Sequence, residues 1–166
     1  MIVRALTVAG GIAGAAGMSQ FPEFSQQYIQ RLGGAVDELS RAVDNFDKDA
    51  AKVALTRDEA LSELAQGSDL GAERSDSMAA LIARHARLSA DLEALKQAGP
   101  FTRASMLSHL SDSDVARRAF ADYKPAVPAT FEGAVFGGTG FLAGILTIWA
   151  ALKILLWPFG RRHASA

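Results

Sequence analysis

The chain has 166 residues, a net charge of -1 and 21% charged residues, with no basic run or acidic tail of the kind that binds nucleic acid. It has no cysteine, which excludes disulfides, thiolate metal sites and a cysteine nucleophile. Mean hydropathy is +0.12, high for a soluble helical chain, and the excess lies at the two ends.

Ile2 to Met18 is apolar, broken only by Arg4. At about 17 residues it meets the lower limit for a membrane span. Two readings fit. A signal peptide would use Arg4 as its charged region and Ala13-Gly14-Ala15 as a small-residue cleavage site. A retained helix would use Thr7, Gly10, Gly14 and Gly17, spaced three or four apart on one face, for close helix packing. The retained helix is the favoured reading.

Pro22 suits the first turn of a new helix, and Phe21, Phe24 and Tyr28 suit a membrane–water boundary. Ile29, Leu32, Val36, Leu39, Val43, Phe46, Ala50 and Val53 then alternate steps of three and four, a heptad seam. Gly33-Gly34 weakens its start. Thr56-Arg57-Asp58-Glu59 has the capping-box form, and Gly67 stops the short helix that follows. A second seam, Met78, Leu81, His85, Leu88, Leu92 and Leu95, runs to Gly99-Pro100. Two such helices joined by a compact tip predict an antiparallel coiled-coil hairpin, with an outgoing arm of roughly 45 Å. Phe101 to Leu110 reads as one further helix. Ser111 reads as the cap of another, with Asp114 at its third position, ending at Tyr123.

Phe131 to Trp157 is the strongest signal. Gly133 to Leu152 contains no charge, and about 20 helical residues span roughly 30 Å of hydrocarbon. A buried core helix is the competing reading, but soluble helices are seldom apolar on every face for so long. Gly133, Gly137, Gly140 and Gly144 recur at steps of four, three and four. If the first and last spans run antiparallel, this face and the Gly10–Gly14–Gly17 face lie in the same half of the bilayer and can meet. Pro158 and the basic pair Arg161 and Arg162 follow.

Charge gives the orientation. Arg4, Lys153, Arg161 and Arg162 flank the spans on the terminal side, whereas every acid except Glu132 lies between residues 19 and 130. The positive-inside rule then places both termini in the cytoplasm and the middle outside.

Catalytic signals are weak. Gly138-Thr139-Gly140-Phe141-Leu142-Ala143 has a dinucleotide-like spacing but lacks the preceding strand that motif requires. His85 lies on the second seam and His109 far along the chain; neither has a second His three or four residues away, and no His-Glu-x-x-His occurs. Asp47-Lys48-Asp49 and Asp112-Ser113-Asp114 read as solvated faces and caps. Glu23 and Glu132 sit in first turns, where the helix dipole favours an acid. No catalytic, cofactor-binding or metal residue is assigned.

Ser19-Gln20-Phe21-Pro22-Glu23-Phe24, Gln26-Gln27-Tyr28, Gln30-Arg31-Leu32-Gly33-Gly34-Ala35 with Asp37-Glu38-Leu39, and Asp122-Tyr123-Lys124-Pro125-Ala126-Val127-Pro128 carry a resemblance. With the glycine-rich last span, they resemble a proteobacterial two-span family known only as a domain of unknown function. The resemblance implies a bacterial inner-membrane protein and supplies no activity.

The expected architecture is all-α: two antiparallel transmembrane helices flanking an extramembrane coiled-coil helical hairpin. Its parts are a first span over 1–20, a periplasmic hairpin domain over 21–130, a last span over 131–158 and a basic cytoplasmic tail over 159–166. The helix-packing residues are Gly10, Gly14, Gly17, Gly133, Gly137, Gly140 and Gly144. The coiled-coil seam is Leu32, Val36, Leu39, Val43, Phe46, Leu81, Leu88, Leu92 and Leu95. The expected function is a non-enzymatic membrane scaffold or accessory subunit. Its partners are the lipid bilayer and either itself or another membrane protein, with no nucleic acid, cofactor or small-molecule substrate. The alternative is a small transport or channel component acting as a homo-oligomer, against which stands the lack of an ionisable residue deep in either span.

Overall fold

The computed structural model describes residues 1–123, 125 and 130–160, with side chains in the last helix as far as Leu155. Lys124, Pro128, Arg161 and Arg162 lie outside the described residues. Among those described, regular structure is entirely helical: α1 (Ile2–Ser19), α2 (Phe21–Lys52), α3 (Arg57–Gly67), α4 (Asp69–Gln97), α5 (Pro100–Ser105), a 3-10 turn (Leu107–Leu110), α6 (Ser113–Asp122) and α7 (Phe131–Gly160). The chain divides into two units, residues 1–26 with the residues from Tyr123 onward, and Gln27–Asp122.

In the first unit α1 and α7 pack along one another. Both are long and apolar enough to cross a membrane, α1 as the start of the helical run Ile2–Lys52. The core helix of a soluble protein is mostly buried, but only 11% of the most apolar stretch of α7 is buried. Ile2, Leu6 and Ile12 of α1 and Leu142, Leu146 and Ile154 of α7 point outward. The hydroxyls within these helices are satisfied locally: Thr7 Oγ1 donates to the Val3 carbonyl and Thr139 Oγ1 to the Val135 carbonyl, each at 2.8 Å. Thr130 caps α7, its Oγ1 accepting from the N–H of Gly133 at 3.1 Å. The helix continues to Gly160, past Pro158, where the sequence reading ended it. Proline removes one backbone donor, a loss that apolar helices of this length tolerate.

In the second unit α2 ends where Ala54 takes a φ of 60°. The N–H of Leu55 then reaches the Ala50 carbonyl and that of Ala54 the Ala51 carbonyl, both at 3.0 Å, a Schellman closure. The Thr56–Glu59 capping box is formed at the start of α3. Arg57 grips Asp47 with two bonds of 2.8 and 2.6 Å, tying α3 to α2. Ser68 caps α4, and Ser75 Oγ donates to the Leu61 carbonyl of α3 at 2.8 Å. A Cβ at Gly71 would run into the Leu64 carbonyl oxygen, so only glycine allows this approach of α4 to α3.

Two sequence expectations need correction here. Phe101 to Leu110 is not one helix: Met106, at φ -107° and ψ 36°, separates α5 from the 3-10 turn. Asp112, not Ser111, caps α6, since its Oδ1 accepts the Val115 N–H at 3.1 Å while Ser111 Oγ donates to the Ser108 carbonyl. A carboxylate is the stronger acceptor for an N-terminal N–H.

Of the heptad residues, Leu32, Val43, Leu88, Leu92 and Leu95 are buried, and Val36, Leu39, Phe46 and Leu81 are half-buried. Leu39 and Leu81 line a groove of about 440 Å³ with Gly34, Ala42 and Val115.

Candidate functional site

The closest meeting of elements lies between α1 and α7. A Cβ on Gly14 would fall inside contact distance of the Gly140 carbonyl oxygen, and one on Gly140 would do the same to the Gly14 carbonyl. Gly144 stands in that relation to the Gly10 carbonyl. A Cβ on Gly10 would strike Ile148, and one on Gly11 would lie 2.7 Å from the ring of Phe141 and 2.9 Å from Ile145. As the first helix ascends from residue 10 to 14, its partner descends from 144 to 140, so the pair is antiparallel. The two backbones touch, which no larger residue would permit.

The other assigned glycines differ. Gly137 is in ordinary contact, with an ideal Cβ 3.5 Å from Ser19 Cβ. Gly133 is buried at the start of α7. Gly17 takes no part in the α1–α7 contact: it is exposed, and a Cβ there would meet nothing within 4 Å. At about 100° per residue it falls roughly 70° from the centre of the Gly10–Gly11–Gly14 face. Gly11, which the step-of-three-and-four pattern passed over, is the buried residue of α1.

Aromatic and polar side chains meet at one end of this contact. Toward the α1 C-terminus, the rings of Phe21 and Phe136 lie 5.4 Å apart. Tyr123 meets Phe24 edge-on at 6.1 Å and donates its hydroxyl to Gln20 Oε1 at 2.6 Å. Burial pushes the Tyr123 phenol up, as does the nearby Glu23 carboxylate, so it remains a donor. Toward the other end, within α7 itself, Lys153 Nζ lies 4.8 Å above the ring of Trp149, one turn earlier.

The second unit holds a polar junction that sequence reading missed. The N–H of Asp112 donates to the hydroxyl of buried Tyr28 at 3.1 Å. Its carboxylate accepts from Arg84 at 2.9 Å and lies 3.5 Å from Arg87. Burial pushes the Asp112 carboxyl up, but the Val115 N–H and the Arg84 guanidinium outweigh it and hold the group below the usual aspartate range. Burial raises the Tyr28 phenol. Nearby, His109 Nδ1 and Asp91 Oδ1 are 2.6 Å apart.

Taken together these contacts join α2, α4, the 3-10 turn and α6. They are ion pairs and caps with satisfied partners, which is the chemistry of a structural clasp. Among the described residues no group of three or more His, Asp or Glu side chains is placed to hold a metal. His85 is half-buried on α4. The Gly138–Ala143 stretch lies within α7, with no strand before it among the described residues.

A family model described as a protein of unknown function (DUF2937) matches residues 2–161. No curated protein and no solved structure matches.

Proposed function

The chain belongs to the DUF2937 family of proteins of unknown function, and we propose that it is a non-enzymatic scaffold or accessory subunit of the bacterial inner membrane. The observation that carries this reading is the backbone contact of Gly10 and Gly14 with Gly140 and Gly144. Two apolar helices locked at such range form a hairpin whose outer faces remain apolar, available to lipid and to a neighbouring membrane helix. The helices cross the bilayer, both termini are cytoplasmic, and the unit Gln27–Asp122 stands in the periplasm. There α2 and α4 run as an antiparallel coiled-coil pair. The clasp around Asp112 pairs its charged groups with one another and holds the elements of this unit together.

Gly140→Leu tests the proposal. The substitution keeps α7 apolar, so insertion should survive, but the side chain has no room beside Gly14. We expect an altered mass in detergent or the loss of a co-purifying membrane partner. Leu146→Ala, on an exposed position of α7, should change neither. Normal insertion of Gly140→Leu with unchanged mass and partners would remove the support for assembly through this hairpin.

A further inference from the structure

Arg4 of α1 and Lys153 of α7 are both exposed, and neither makes an ion pair among the described residues. One cation near the end of an apolar helix is ordinary. Two features of the α1–α7 pair make a set of these two.

The first is their level along the pair. Gly10 packs on Gly144. Arg4 lies six residues before Gly10 and Lys153 nine after Gly144. In an antiparallel pair both steps run the same way, by about 9 Å and about 14 Å. The two cations are therefore within about one helical turn of each other. The acids of the same unit, Glu23 and Glu132, belong to the opposite end.

The second is their flank. Gly11 faces Phe141 and Ile145, which marks one side of the pair. Arg4 precedes Gly11 by seven residues, which leaves it about 20° round α1 from Gly11. Trp149 follows Ile145 by four, about 40° round α7, and is 51% exposed. Lys153 is brought back over that ring. Both cations thus come out on the Gly11–Ile145 flank, with the indole on the same side. Val8, one turn below Arg4, is half exposed and continues the flank as apolar surface.

This arrangement matches the parts of an anionic phospholipid. A phosphate diester accepts from two cationic donors at once. An indole suits the glycerol level, which is wet on one side and apolar on the other. An acyl chain can lie along the apolar flank beneath. A zwitterionic lipid carries its own ammonium and gains less from two protein cations.

We propose that this end of the helix pair binds an anionic phospholipid, its phosphate held by Arg4 and Lys153 and its glycerol region set against Trp149. The inference rests on the membrane-span reading above.

The chain has two tryptophans, so Trp157→Phe leaves Trp149 as the reporter. The full protein carrying that change is reconstituted into phosphatidylcholine vesicles with a small fraction of acyl-brominated lipid. Brominated phosphatidylglycerol should quench Trp149 at least about twofold more than the same fraction of brominated phosphatidylcholine. Arg4→Gln and Lys153→Gln should each bring the two lipids toward equality. Arg4→Gln is the sharper variant, because it leaves α7 and its tryptophan untouched. An undiminished preference in that variant would overturn a site shared between the helices.

If Trp149 is quenched in wholly brominated phosphatidylcholine but shows no preference between the lipids, the lipid site fails and the span reading stands. If it is not quenched even there, both fail. A preference removed by inorganic phosphate, but not by chloride at the same ionic strength, would mark a site for phosphate itself and would also overturn the inference.

Discussion

Asp112 ties α6 to α4 and α2 in the second unit. It caps α6, accepts from Arg84 and, through its own N–H, reaches Tyr28 on α2. Asp112→Ala should destabilise the unit by about 2–3 kcal/mol, since it removes a cap and leaves Arg84 with only the more distant Asp114. Because the folded carboxyl titrates below its ordinary value, its contribution is fully present above about pH 4 and is lost as pH falls through the folded pKa. Chemical denaturation between about pH 5 and 2 should show this loss, and Asp112→Asn should flatten it. Asp47 and Glu59, lowered by Arg57 and by the Thr56 N–H, add to the same window, so part of the slope should remain. At the turn after α2, Ala54→Gly should stabilise by about 0.5–1 kcal/mol, because glycine takes a positive φ without the Cβ clash. A lower melting temperature for Ala54→Gly would contradict that account. Neither residue announces itself in the sequence. The partners of Asp112 lie 28 and 84 residues away, and an alanine in a left-handed turn lacks the glycine that usually marks one.

At the scale of elements, the α1–α7 contact can be tested by its register. The ideal Cβ of Gly137 lies 3.5 Å from Ser19 Cβ, within the range a disulfide bridges. Ser19→Cys with Gly137→Cys should therefore cross-link within one chain under mild oxidation, detectable as a mobility shift without a change in mass class. Gly17→Cys with Gly137→Cys should cross-link poorly, since Gly17 points into open space. Equal efficiency for the two pairs would argue against the register. Much of this contact was legible, because small residues at steps of three and four mark a helix face whatever the surroundings. Gly11 escaped because it follows Gly10 directly, and its burial depends on Phe141 and Ile145 coming from the other helix. The heptads of α2 and α4 predicted their helices well. They could not show that Leu39 and Leu81 line an open groove, because that depends on the small residues Gly34 and Ala42 and on where Val115 of α6 enters. The break at Met106 carries no glycine or proline signal at all.

At the scale of the whole molecule, the antiparallel register sorts charge between the two ends of the helix pair. With Gly10 beside Gly144 and Gly14 beside Gly140, Arg4 falls at the same end as Lys153, and Glu23 at the same end as Glu132. From Glu132 to Lys153 is roughly 32 Å of helix at about 1.5 Å per residue, against a hydrocarbon core of about 30 Å. Cations thus bound the apolar belt on one side and acids on the other, and basic residues near span ends favour the cytoplasm. The expected topology has residues 27–122 outside. Single cysteines decide it in this cysteine-free chain. Ser62→Cys, exposed on α3, should react with a membrane-impermeant maleimide in intact spheroplasts. Ser165→Cys should react only after lysis. The reverse pattern would overturn the charge argument while leaving the hairpin intact. Labelling of both positions before lysis would mean that one of the two helices does not span, and the membrane hairpin itself would have to be abandoned.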